Sequence, residues 1–509
     1  MRLSRAVSAV VATLRQRPAG LLPVYVFGAA VPAIARVVPF LGVAVAAFYL
    51  ETTGRLETVR TELIAQDLEP PDPETDPDAF ADWIDGLEPV LEALFPTPVV
   101  AIAAVTTAIA ALVAFVLYAV VGAAQLAACD GRLRDERGLV AALAGARRHW
   151  LTFLGLYVLE IVLWLTAAVV IGAATALTAG VVAAATGEQL LAVPVVLLGG
   201  LVWLVVVAVV RALFAFAPVA VVVDTVGVFA SVTRSAGFVR RRPVPAAFYY
   251  VVSIGVLVGV TTALSTLAFV GAESVASLLV LLLVLPALDL LKTVLYGDYR
   301  GTVAPPSMPE SSLRTQFVRG LRRGWDELWA FVRATPGLHA LALALIGGGF
   351  WLGWAAAEPF VDVVPTSIEA RLEGHIPPAA TAEFFANNWT VALSTAYSGF
   401  ALAIPAAVAL LFNGVVIGAI ARLEVDLEAL IAFVVPHGIV EIPAILVAGA
   451  LGFHLGVVGW RAVRGRIDRP TLADELERAF WVLVGVGLLL ALAAVIEGFV
   501  SPYYFRLFV

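Results

Sequence analysis

From Thr97 to Ala128 the chain reads TPVVAIAAVTTAIAALVAFVLYAVVGAAQLAA, with no charged side chain. At 1.5 Å per residue this run exceeds the roughly 30 Å hydrocarbon core of a bilayer. Inside that core every backbone N–H and C=O must be bonded within the chain, which an α-helix achieves locally. Comparable runs lie near 20–50, 151–180, 190–222, 246–270 and 275–292, and again near 338–358, 388–420, 428–462 and 479–500. Hydrophobic residues make up 61% of the 509, charged residues 14%, and the mean hydropathy is +0.96. The pattern predicts an all-α polytopic membrane protein of about eleven transmembrane helices, arranged in two helical bundles.

The charges give the expected topology. Arginines cluster at Arg2, Arg5, Arg15 and Arg17, around 132–148, at 234–242 and at 314–323, and the positive-inside rule makes these segments cytoplasmic. The segment from Asp67 to Glu92 carries ten carboxylates and no Arg or Lys, so it is expected outside as a solvated loop. A short amphipathic stretch precedes a span in each cytoplasmic segment: RAVSAVVATLRQR, GLVAALAGARRHW, VFASVTRSAGFVRRR and FVRGLRRGWDELWAFVR. In the first, Leu3, Val7, Val10 and Leu14 share one helix face, which predicts a helix lying in the membrane interface. The Pro- and Ser-containing tract from Tyr296 to Arg314 reads as a linker between a six-span membrane domain, 1–305, and a second domain of about five spans, 306–509. The N-terminal arm, with a short apolar patch broken by Arg15 and Arg17, is expected to be retained rather than cleaved.

Catalysis finds little support. A single cysteine, Cys129, excludes an intramolecular disulfide and any Cys-based metal cluster within one chain. There is no Gly-rich phosphate loop and no nucleophile elbow, and the cytoplasmic loops are too short for a soluble catalytic domain. No cofactor is expected. The arginine clusters face the inner leaflet, so the lipid bilayer is the expected partner and nucleic acid is not.

The stretch FVVPHGIVEI, Phe433 to Ile442, sets a histidine and a glutamate inside an apolar run. An ionisable group at a helix centre costs about 2.5 to 3.5 kcal/mol on insertion scales, so each needs a partner. His437 and Glu441 are one helical turn apart, within reach of an imidazole–carboxylate hydrogen bond. Pro436 suits the first turn of a helix beginning at membrane depth, and Gly438 suits close approach of a neighbouring backbone. Asn387, Asn388, Asn413 and Glu497, with His454, are the other polar groups expected in this intramembrane cluster. Gly399, Gly414, Gly418, Gly449 and Gly452 are expected where helices pack closely, and Pro405 and Pro443 where they break or kink. As a metal site the His437–Glu441 pair offers two ligands, which is too few.

These words carry a resemblance. FFANNWTVAL with Gly399, LLFNGVVIGA, PHGIVEIPAILVAGALGFHLG and LAAVIEGFVSPYY occur in that order, and from about Phe317 to its end the chain resembles the stage II sporulation protein M family. The resemblance implies a membrane domain of about five spans with its C-terminus outside. In spore formers the family member belongs to a membrane complex with cell-wall hydrolases during engulfment. Other members occur in organisms that make no spores, so a sporulation role does not follow. The N-terminal half, through LLKTVLYGDYR, resembles membrane domains related to that of glycerophosphodiester phosphodiesterases, without their catalytic domain.

Two functions remain open on the sequence. One is a non-enzymatic scaffold or assembly factor that recruits envelope or membrane proteins, its polar cluster fixing helix packing. The other is a transporter or lipid-moving protein that uses the His and Glu residues as a pathway.

Overall fold

The computed structural model describes residues 2–65, 71–72, 75–361, 364–504 and 506. Part of the acidic stretch that begins at Asp67 therefore lies outside the described residues. Every regular element among the described residues is helical, and one isolated bridge joins Thr366 to Glu424. Among the described residues ten helices are long and apolar enough to cross a membrane, against about eleven expected. All six expected in the N-terminal half are among them. The chain divides into two compact units, one comprising 1–28, 116–264 and 279–315, the other 29–115, 265–278 and 316–509.

In the first unit, α1 (Leu3–Gln16) packs on α7 (Leu285–Arg300). It does so through Ala6, Ala9, Val10 and Thr13, while Val7 is exposed. The buried face is thus rotated from the Leu3–Val7–Val10–Leu14 stripe, because small side chains allow α1 to lie against protein as well as at the membrane surface. Between them come α2 (Thr97–Arg132, from Val116), α3 (Gly138–Thr186), α4 (Val193–Phe214), α5 (Ala217–Asp224) and α6 (Val228–Arg241). Helix α6 is a separate amphipathic helix, as expected, whereas GLVAALAGARRHW is the first part of the continuous 49-residue α3. Large apolar side chains of α3 and α4, among them Val169, Leu177, Leu197 and Leu204, are exposed, as lipid contact requires.

Polar groups hold the inner face of this unit. Asp224, at the end of α5, accepts from Tyr296 Oη at 2.6 Å and pairs with Arg300 at 2.7 Å and Arg234 at 2.9 Å. Asp289 accepts from Tyr25 Oη at 2.9 Å and pairs with Lys292 at 2.7 Å. Most of LLKTVLYG is buried here, so this tract is the hub of the unit. Phe216, Phe238 and Tyr296 pack around it with ring centroids 4.7 and 5.4 Å apart.

The second unit contains α8 (Leu313–Ala334, from Gln316), α9 (Pro336–Ala357), α10 (Pro377–Ser398), α11 (Ile404–Leu423), α12 (Leu427–Val463) and α13 (Arg469–Phe499). Helix α10 accounts for the difference between ten and eleven. Its 22 residues span about 33 Å. Glu383, Asn387 and Asn388 lower its hydropathy, and it packs against α12 and α13.

Glycines set the spacing of these helices. A Cβ at Gly349 or Gly353 of α9 would lie 2.3 or 1.9 Å from the carbonyl oxygens of Leu411 and Val415 on α11. Reciprocally, one at Gly414 or Gly418 would lie 2.2 or 2.0 Å from those of Ile346 and Phe350. Two G-x-x-x-G faces are therefore in mutual backbone contact, a packing that lipid-embedded helices favour because apolar burial supplies no driving force there. The glycines of α12 act likewise. Gly449 meets Leu410, Gly452 meets Ala406 and the backbone of α10, and a Cβ at Gly399 would lie 2.2 Å from Gly452 O. Gly456 and Gly459 receive the turn 399–403, in which Leu402 and Ala403 both have left-handed backbones, φ 62° and 65°.

Two expectations are corrected. The PHG segment does not begin a helix: α12 starts at Leu427, where Asp426 accepts from Ala429 N at 2.9 Å, and runs unbroken through Pro436 and Pro443. Within lipid the backbone finds no alternative partners, so keeping the remaining helical bonds outweighs the two that proline removes. Nor does Gly438 admit a neighbouring backbone, since what lies beside it is Val434 and Ile442 of its own helix. Pro405, by contrast, sits in the first turn of α11.

Thermal unfolding in detergent should separate these roles. Gly414→Leu and Gly353→Leu are expected to lower the midpoint strongly, and Gly399→Ala by an amount corresponding to about 1–3 kcal/mol of overpacking. Gly438→Ala should be neutral or stabilising by up to about 1 kcal/mol, since alanine favours the helix. In the first unit, Asp224→Ala should cost about 3 kcal/mol, and Tyr296→Phe, which removes one bond to a charged acceptor, about half as much.

Candidate functional site: a polar cluster between three helices

The polar residues of the second unit divide into two groups at different depths. The first gathers around His437 on α12 and Glu497 on α13. One nitrogen of His437 and one carboxylate oxygen from each of Glu441 and Glu497 lie within 4.8 Å of one another. Helix geometry explains half of this, since residues 437 and 441 are adjacent on one face of α12. The rest comes from the packing of α13 along α12, which brings Glu497 and Ser501 alongside.

His437 and Glu441 are each fixed by a separate hydrogen bond. His437, 6% exposed, bonds through Nδ1 to the buried Ser501 Oγ at 3.0 Å. Asn388 of α10 donates through Nδ2 to Glu441 Oε1 at 3.0 Å and accepts from Asn387 Nδ2 at 3.2 Å. The imidazole and the Glu441 carboxylate are thus neighbours with different partners, rather than the direct pair that their spacing suggested. Glu497 Oε2 is buried without a hydrogen-bond partner. Among the described residues no Arg or Lys forms an ion pair with Glu441 or Glu497. Two carboxylates so placed need a compensating positive charge or proton, because an uncompensated buried charge is costly.

Nearby contacts close this end of the unit. His375 Nε2 bonds to Gly498 O at 2.9 Å, and Glu383 of α10 accepts from Ser274 N at 2.8 Å and from its hydroxyl. Glu424, its side chain almost fully buried, accepts from Ile368 N at 2.7 Å and Thr366 Oγ1 at 3.1 Å, which fastens the segment before α10 to the end of α11.

Two expected members lie elsewhere. Asn413 is on α11 beside Gly414 and has no hydrogen bond to this group. His454 is 17 residues beyond His437 along α12, about 25 Å away. There Nε2 pairs with Glu475 of α13 at 3.0 Å, beside Arg478–Glu327 at 3.2 Å and Arg323–Glu477 at 3.3 Å, which tie α8 to α13. A Cβ at Gly485 would lie 2.4 Å from Gly324 O, so the same two helices also touch through backbone. Ser501 and Trp389, whose Nε1 donates to Leu483 O at 2.9 Å, went unnoticed in the sequence because neither stands out in its apolar surroundings.

Residues 341–502 match the family model described as Stage II sporulation protein M. The match takes in every residue of the His437 group from Asn387 to Ser501, so over this stretch the chain is similar to that family. No curated protein and no solved structure matches the chain.

Double-mutant cycles on thermal stability test the pairing. His437→Ala with Ser501→Ala, and Asn388→Ala with Glu441→Ala, should each show coupling of about 0.5–3 kcal/mol. Asn413→Ala should be additive with Glu441→Ala. Additivity within the first two pairs would show that the hydrogen bonds do not organise the cluster.

Proposed function

We propose that this multi-pass membrane protein is a scaffold or assembly factor of the cell envelope, similar to stage II sporulation protein M, which recruits partner proteins and catalyses no reaction. The observation that carries the reading is the reciprocal glycine contact of α9 with α11, together with the glycine face of α12. Backbone-to-backbone contact of that kind favours a fixed bundle over one whose helices slide to expose a site in turn. Two grooves in this unit agree with it. One of roughly 440 Å³ is lined by Val38, Leu41, Val45 and Val105, another of roughly 200 Å³ by Trp325, Trp329, Pro443 and Leu489, and neither includes His437, Glu441 or Glu497.

The charge pattern supports a plasma-membrane orientation with the N-terminus in the cytoplasm and the C-terminus outside. Arg461, Arg464, Arg466 and Arg469 then lie inside, with the loop after α12, and the His437 group lies toward the outer face. In a Cys129→Ala background, Asp82→Cys should react with a membrane-impermeant maleimide in intact cells, and Arg466→Cys only after permeabilisation. The reverse pattern would overturn the orientation.

The recruiting role is tested by mild-detergent affinity purification of the tagged chain from its native membranes. Stoichiometric recovery of an envelope protein is the expected result. Recovery of the chain alone, or with lipid only, would overturn the scaffold reading in favour of transport.

A further inference from the structure

We propose that His437, Glu441 and Glu497 form a binding site for one divalent transition-metal cation, of the class to which Zn2+ belongs, that ties α12 to α13. The sequence offers two ligands on one helix; the fold supplies the third from another. The inference goes beyond the scaffold reading and does not depend on which partners the bundle meets.

Ligand chemistry comes first. One imidazole nitrogen and two carboxylates make a borderline donor set that suits Zn2+ and its neighbours better than Mg2+ or Ca2+, which prefer all-oxygen shells. The charges also match, since a neutral imidazole and two carboxylates carry the two negative charges that a divalent cation cancels. No Arg or Lys ion pair takes that role among the described residues.

Geometry adds a more specific argument, for His437 and Glu441 each keep a further atom after the hydrogen bond is made, and Glu497 offers one that has no hydrogen bond. With Nδ1–H of His437 donating to Ser501 Oγ, Nε2 presents its lone pair. With Glu441 Oε1 accepting from Asn388, Oε2 remains. Glu497 Oε2 is buried and unpartnered. Metal-bound histidines commonly give their other ring N–H to a protein oxygen, and metal-bound carboxylates are commonly hydrogen-bonded, so Ser501 and Asn388 are positioning residues in that sense. Bonds of about 2.1 Å place tetrahedral ligands about 3.4 Å apart. The observed spread, within 4.8 Å, is wider than that, and the rotatable side chains of the two glutamates are what would close it on an ion.

The test uses the purified full-length chain in detergent, stripped with chelator, incubated with Zn2+ and exchanged into metal-free buffer, with bound metal counted by mass spectrometry. Wild type should retain one Zn2+ per chain and unfold at a higher temperature than the stripped protein, and Mg2+ should produce neither effect. Glu497→Gln and His437→Gln should lose retention, Ser501→Ala should weaken binding about 10- to 100-fold, and His454→Gln should bind as wild type. Because a ligand variant can fail to fold, Co2+ loaded into wild type gives an independent reading. Intense visible absorption, as expected of four-coordinate Co2+, supports the site, and the weak spectrum of the hydrated ion opposes it. The proposal is overturned if stripped wild type retains no Zn2+, if Mg2+ protects equally, or if a well-folded Glu497→Gln binds as tightly as wild type.

Discussion

Hydrocarbon offers the backbone no hydrogen-bond partner, and the second unit is organised around that fact. Once every segment is a helix, the question becomes how closely helices approach where apolar burial no longer drives them together. In α9 and α11 the answer is glycine at Gly349, Gly353, Gly414 and Gly418, each seated on a carbonyl of the facing helix. The glycines of α12 extend the same contact to α10 and to the turn after it. With the backbones this near, dispersion and weak Cα–H···O contacts act over a continuous surface, and side chains such as Asn388 and Ser501 reach partners on other helices.

Polar groups are divided by depth. Around His454 the groups are paired, His454 with Glu475 by a hydrogen bond, and Arg478 with Glu327 and Arg323 with Glu477 by opposite charge, the last two joining the amphipathic α8 to α13. Around His437 the groups are acceptors with few donors: two carboxylates, an imidazole and a serine hydroxyl. Pairs of the first kind are self-compensating. The second kind gathers two carboxylates with no Arg or Lys ion pair among the described residues, and that separates it chemically from the structural ion pairs elsewhere in the molecule.

Most of the fold was legible because hydropathy reports directly on the lipid. All six expected spans of the N-terminal half are present, as are the separate amphipathic helices α1, α6 and α8. Helix α10 is less visible to hydropathy because Glu383 and Asn388 bond to partners on other helices, and the exposed Asn387 bonds to Asn388. The candidate site was half legible. Spacing placed His437 and Glu441 on one face, but spacing does not choose rotamers, and each turned to a different partner. Glu497 was expected in the cluster together with Asn413 and His454; that it joins His437 while those two lie elsewhere follows from how α12 and α13 pack. Gly349 and Gly353 lay unremarked in GGGFWLG because their meaning depends on the matching pair in α11.

The length of α12 bears on how its polar group meets water. Its 37 residues extend about 55 Å, nearly twice the hydrocarbon thickness, so a centred helix projects about 12 Å beyond the core at either end. His437 is ten residues from the start, about 15 Å along. That depth is the margin of the hydrocarbon rather than its middle, at the level of the lipid carbonyls. Ions and protons reach such a level from one aqueous phase without crossing the glycine-sealed portion of the bundle. A centred α12 therefore places the cluster nearer to one aqueous phase than to the other.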